Sequence, residues 1–119
     1  MTTKRERSER IAALNDELRK DPTNRGLGLV TMTSGVAALG SAFWIKVAEK
    51  LASLGPEDFR RGNDPYGERD FEAIEVDGEK LFLKIDYFEK GSGHMLGAEA
   101  PDNAATTDRV LTVMLREEY

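Results

Sequence analysis

The stretch FEAIEVDGEKLFLKIDYF, Phe71 to Phe88, decides the fold, because it reads as two strands and the turn that joins them. Asp77-Gly78 is a favoured pair for the centre of a type I′ turn, where both residues need positive φ. Taking these two as the loop predicts a register: Val76 opposite Glu79, Glu75 opposite Lys80, Ile74 opposite Leu81 and Ala73 opposite Phe82. An ion pair then lies on one face and an aliphatic pair on the other. Period-two alternation sends Ile74, Val76, Leu81, Leu83, Ile85 and Tyr87 toward a core. It leaves Glu75, Lys80, Lys84 and Asp86 to water, with Phe71, Ala73 and Phe82 on that same outer face.

Upstream, Ile11, Leu14 and Leu18 recur at helical spacing, so Lys4 to about Lys20 reads as a charged helix with one narrow apolar stripe. Asp21-Pro22 ends it, since Pro disfavours helical backbone before it and lacks the N–H to continue the ladder. Leu27 to Thr33, alternating and partly β-branched, reads as a short strand. Thr33 or Ser34 then caps a single second helix running to about Leu54, ended by Gly55-Pro56. Val36, Leu39, Phe43, Val47, Leu51 and Leu54 form its core stripe, with Trp44 at the edge and Ile45, Ala42 and Ala52 on the far side. Residues 91–107, rich in Gly, Ala and Thr, read as a flexible loop. Alternation of Leu111, Val113 and Leu115 favours a strand over 109–116, although Asp108 could cap a short helix. The order α-β-α-β-β-β predicts an α+β fold: two helices on one face of a mostly antiparallel sheet of about four strands, in one domain over residues 1–119.

Composition excludes more than it assigns. The 119 residues contain no cysteine, which removes disulfides, thiol catalysis and thiolate metal sites. The basic start MTTKRERSER is not followed by an apolar stretch of secretory type, and the run VAALGSAFWI is about half of a membrane span. A soluble cytoplasmic protein is therefore expected. The net charge of −5 is unevenly spread: residues 1–25 carry seven Lys/Arg against five Asp/Glu, residues 56–119 eight against sixteen. An acidic half repels phosphate backbones, so direct nucleic-acid binding is not expected, whereas a basic protein partner is.

The densest cluster of candidate groups is NDPYGERDF, Asn63 to Phe71. Its carboxylates Asp64, Glu68 and Asp70, with Asp86, suit a hard cation or general acid/base work, and a metal-dependent enzyme built on them is the alternative reading. The turn reading is more economical. Asp64-Pro65-Tyr66-Gly67 has the preferred residues of a type I turn at its first, second and fourth positions. The spacing also departs from an EF-hand loop, because Tyr66 stands where a ligand is needed. His94 is the one histidine and reads as an exposed loop residue without a nucleophile at a useful spacing. Gly26 and Gly28 in RGLG lack the further glycine and the lysine of phosphate-binding loops, so no nucleotide, cofactor or metal is expected. Charge places the working face along Asp64, Tyr66, Glu68, Asp70, Glu72, Glu75, Asp77, Glu79 and Phe82, as a surface for a protein partner. A homo-oligomeric structural protein, a homodimer for instance, using Trp44, Ile45 or the outer hairpin face is a further alternative.

Five blocks in order, RIAALNDELR, TSGVAALG, NDPYGERDF, EVDGEKLFLKIDYF and DRVLTVMLREEY, resemble the domain of unknown function 3768 family from about Arg10 to Tyr119. The resemblance implies a small alphaproteobacterial protein of a family without an established activity, often carried on plasmids and other mobile elements. It also implies that the loop 89–107 varies among relatives. With the acidic half, it points to a non-enzymatic accessory protein, such as an anti-CRISPR or antirestriction inhibitor whose acidic hairpin occupies a nucleic-acid channel.

Overall fold

The computed structural model of the chain describes residues 2–60 and 62–119. The elements are α1 (Lys4–Lys20), β1 (Gly28–Met32), α2 (Ser34–Ala37), α3 (Ser41–Ser53), β2 (Phe71–Val76), β3 (Glu79–Glu89) and β4 (Thr107–Leu115), with short 3-10 turns at Pro56–Asp58 and Arg116–Glu118. The hairpin forms in the expected register, Val76 with Glu79 through Ala73 with Phe82, and continues to Phe71 with Lys84. Asp77 and Gly78 have φ of 51° and 79°, as a type I′ turn requires. The sheet order is β1-β4-β3-β2: β4 runs antiparallel to β3 and parallel to β1. The fold is α+β with one parallel pair in a mostly antiparallel sheet.

Helices cover one face only. Leu18 from α1, Val36 from α2 and Phe43, Val47 and Leu51 from α3 meet Ile74, Val76, Leu81, Leu83, Ile85, Leu111 and Val113 from the sheet in one buried cluster. Each fully buried aliphatic side chain contributes about 1.5–3 kcal/mol to this layer contact. Among the described residues, no helix is long and apolar enough to cross a membrane.

Two expectations are corrected. The single helix from Ser34 to Leu54 is two, because Gly40 takes φ 95° and breaks the ladder between Ala37 and Ser41. The break swings Leu39 out of the stripe, to 41% exposure. The start of α2 is capped from elsewhere: the Thr33 side chain makes no cap bond, and instead donates to Glu118, whose carboxylate accepts from the Gly35 N–H at 3.2 Å. In the connection after β3 the Ala98 N–H donates to the Tyr87 carbonyl (3.1 Å), and the Lys90 N–H donates to the Thr106 carbonyl (3.0 Å). Its Gly content serves turns within a folded connection.

Candidate functional site

The turn Asp64–Gly67 forms as expected, the Gly67 N–H donating to the Asp64 carbonyl at 3.2 Å. Beyond it the chain is latched to α1. Arg69, at φ 55°, donates through Nε and Nη2 to Asp16 at 3.0 and 2.7 Å, and Arg19 pairs with the same carboxylate. Burial by itself would raise the Asp16 pKa, but hydrogen bonds and charge from Arg69 and Arg19 hold it below the usual carboxylate value. Asp64 is itself nearly buried and accepts from the Arg69 N–H at 3.0 Å.

Behind the turn lies a buried polar cluster. Tyr87 donates to Glu68 Oε1 at 3.0 Å, and Asn15 Nδ2 donates to both the Tyr87 hydroxyl and the Glu68 carbonyl. Arg109, fully buried, donates to Asn15 Oδ1 at 2.8 Å and to the Pro101 carbonyl, with its guanidinium over the Tyr87 ring. Burial lowers the Arg109 pKa and raises that of the Tyr87 hydroxyl, the latter reinforced by the charge of Asp70. Asp70 is pushed up to about 6, first by burial and then by the neighbouring charge of Glu68, with Asp64 and Asp86 adding to it. Among the described residues, no group of three or more His, Asp or Glu side chains is arranged to hold a metal ion.

The expected acidic surface therefore splits in two. Glu72 is 2% exposed, because its place in β2 has the parity of Ile74 and Val76. Its carboxylate accepts from the Arg60 N–H (2.6 Å), Arg60 Nη2 (3.0 Å), Asn63 Nδ2 (2.7 Å) and the Ala73 N–H (2.8 Å). Burial would raise its pKa; the bonds from Arg60, Ala73 and Asn63 outweigh this and lower it. Glu72 and Asp64 are thus withdrawn from the surface assigned to them, and Glu68 and Asp70 are half-buried. What stays exposed is the hairpin tip, Glu75, Asp77 and Glu79, with Tyr66 apart on its turn. Lys46 of α3 reaches Asp77 at 2.6 Å.

The outer face of the sheet, which no helix covers, carries an aromatic group. Phe71, Phe82 and Tyr119 stand with ring centroids 5.2–5.3 Å apart, and Arg116 lies over Phe82 at 5.4 Å. Beside them Arg60, Ala73, Ile74, Glu75, Lys80 and Arg116 line a shallow cleft of about 200 Å³. Toward the other end of the same face His94, exposed at φ 61°, rests against Phe88. Gly28 closes against the carbonyl of Arg109 so tightly that no Cβ would fit, so its role is strand contact. Ile45, at 60% exposure, lies opposite the core stripe as expected, and Trp44 packs at the core edge.

Sequence reasoning missed the Asn15–Tyr87–Arg109 cluster. Its signal was present: Arg109 has the parity of Leu111 and Val113, and Asn15 falls on the stripe of Ile11 and Leu18. Tyr119 joining the aromatic group had no signal, since it depends on how the chain turns after β4.

These features define a small α+β domain with one open, aromatic sheet face of mixed charge and an acidic hairpin tip beside it. The chain belongs to the family described as Protein of unknown function (DUF3768), whose model matches residues 32–118. That span takes in α2, α3 and the last three strands and leaves α1 outside. No curated protein and no solved structure gives a significant match to the chain.

Proposed function

We propose that the protein is a non-enzymatic binding module that receives a basic protein surface on the tip and outer face of the β2–β3 hairpin. The observation that carries this reading is the placing of Phe71, Phe82 and Tyr119 together on the helix-free face, with Glu75 on that same face and the exposed carboxylates Asp77 and Glu79 at the adjoining hairpin tip. Aromatic side chains are the residues most often found at binding hot spots, and exposed carboxylates at the neighbouring tip steer a basic partner and fix its orientation. The finer form of the proposal is an inhibitor of host defence, of anti-CRISPR or antirestriction type, working in the cytoplasm by occupying a basic nucleic-acid channel. It draws on the sixteen acids against eight bases in residues 56–119 and on the mobile-element setting that the family resemblance implies.

The test is affinity capture from a bacterial lysate with three baits: wild type, Glu75→Lys/Glu79→Lys, and Tyr119→Ala. Asp77 is left in place because its positive φ holds the turn. A captured protein retained by wild type, released at high salt and lost with the double Lys variant supports the reading. A partner held equally well by all three baits overturns it.

A further inference from the structure

The two edges of the sheet are finished differently. At the β2 edge, the Glu72 carboxylate accepts from the outward N–H of Ala73 and from the Arg60 N–H of the preceding segment, and the strand carries the charges of Glu72 and Glu75. At the β1 edge no such seal exists among the described residues. The bonds from Arg109 to Leu27 (3.2 Å) and from Thr33 to Val113 (3.1 Å) fix the phase of the parallel ladder. In that phase Leu29 and Thr31 turn their N–H and C=O groups to β4, and Val30 and Met32 turn theirs outward. No group among the described residues accepts from the N–H of Val30 or Met32. The strand Gly28–Met32 also carries no charge and no proline, the devices that usually blunt an edge.

We propose that β1 pairs antiparallel with β1 of a second copy of this chain, joining two four-stranded sheets into one continuous sheet. A two-fold axis at Val30 sets Val30 opposite the partner's Val30 and Gly28 opposite the partner's Met32, so that the outward N–H and C=O groups meet in hydrogen-bonded pairs. The charges around the strand select a second copy as the occupant. Near the Gly28 end stand Arg25 and Lys90, the latter donating to the Gly26 carbonyl at 3.3 Å, against Asp108. Near the Met32 end stand Glu118, bound to Thr33 and Gly35, and its neighbour Glu117, whereas Arg116 is held over Phe82 two strands away. The ends lie about 13 Å apart. Antiparallel self-pairing brings the basic end of each copy beside the acidic end of the other, a match that overcomes the like net charge of the two copies. The hairpin tips, on the opposite edge, remain free, so the dimer does not depend on the binding role proposed above.

Light scattering after size exclusion, with the full chain at about 100 µM, should give twice the 13.2 kDa chain mass. Hydrogen exchange at Val30 and Met32 should slow as concentration rises. Leu29→Lys/Thr31→Lys sets like charges opposite each other across the axis on a half-exposed face, and should give a folded monomer. Should that variant lose its fold, Arg25→Glu serves instead: it should weaken the dimer at least about tenfold, and adding Glu117→Lys should restore it. Both positions are exposed, so folding is spared. A monomeric wild type at this concentration overturns the proposal, as does a dimer indifferent to these charges or concentration-independent exchange at Val30 and Met32.

Discussion

Replacing Glu72 with Gln distinguishes an internal carboxylate from a surface one. Glutamine keeps the shape and one acceptor oxygen, which can hold the bonds from Arg60 Nη2, Asn63 and Ala73; its amide nitrogen then faces the Arg60 N–H, whose 2.6 Å bond is lost and becomes donor against donor. A bond to a charged acceptor is worth about 1.5–3 kcal/mol, and the bonds that survive weaken because the acceptor is no longer an ion. The Arg60 side chain is 69% exposed, so its share is small. The sum is about 3 kcal/mol, or a fall in Tm of roughly 10 °C for a chain of this size. Urea unfolding followed by the fluorescence of Trp44, the one tryptophan, partly buried against the core, measures it directly. The pH dependence adds a second readout. The folded pKa of Glu72 lies below its ordinary 4.5, so its stabilisation is complete above that value and disappears as pH falls through the folded pKa. The gap between wild type and variant should therefore be full at neutral pH and close in acid. A gap under about 0.5 kcal/mol at neutral pH, the range of ordinary surface substitutions, would refute the burial argument.

Asp70 should behave in the opposite sense. Its folded pKa, raised to about 6, means that the native state holds the proton more tightly than the unfolded chain, so stability falls as pH rises from about 4 to about 6. Asp70→Asn should remove that slope and stabilise the protein at neutral pH by about 1–2 kcal/mol, read from denaturation curves on either side of the window. At Gly40, φ 95° with nothing within 4 Å of an added Cβ leaves a purely backbone cost, so Gly40→Ala should lose about 1–2 kcal/mol in thermal unfolding. Gly97→Ala, in equally open space but without a positive φ, should be neutral or stabilise by under about 1 kcal/mol in the same measurement.

The hairpin was legible because its information is local. Two turn residues with positive φ and a two-residue period fix register and facing together, and Asp77, Gly78 and the buried Ile74, Val76, Leu81 and Leu83 follow from them. The break at Gly40 was not legible, since a stripe from Val36 to Leu54 continues through it on spacing alone and one glycine in a helix is tolerated. The candidate surface was legible in charge and misread in depth. Parity already put Glu72 beside Ile74, but counting acids along the chain treated every carboxylate as exposed.

The sequence by itself determined the four strands and the first helix, the hairpin register, the turn at Asp64–Gly67 and the acidic bias of the second half, all set by neighbours within a few residues. Tertiary structure alone decided that β4 inserts between β1 and β3, that Glu118 caps α2 and that Tyr119 completes the aromatic group. It also decided which acids vanish into Arg60 and Arg69 and which remain for a partner. Those outcomes depend on groups far apart in the chain, and a carboxylate becomes a surface or an anchor only when the fold determines whether water or a buried donor reaches it first.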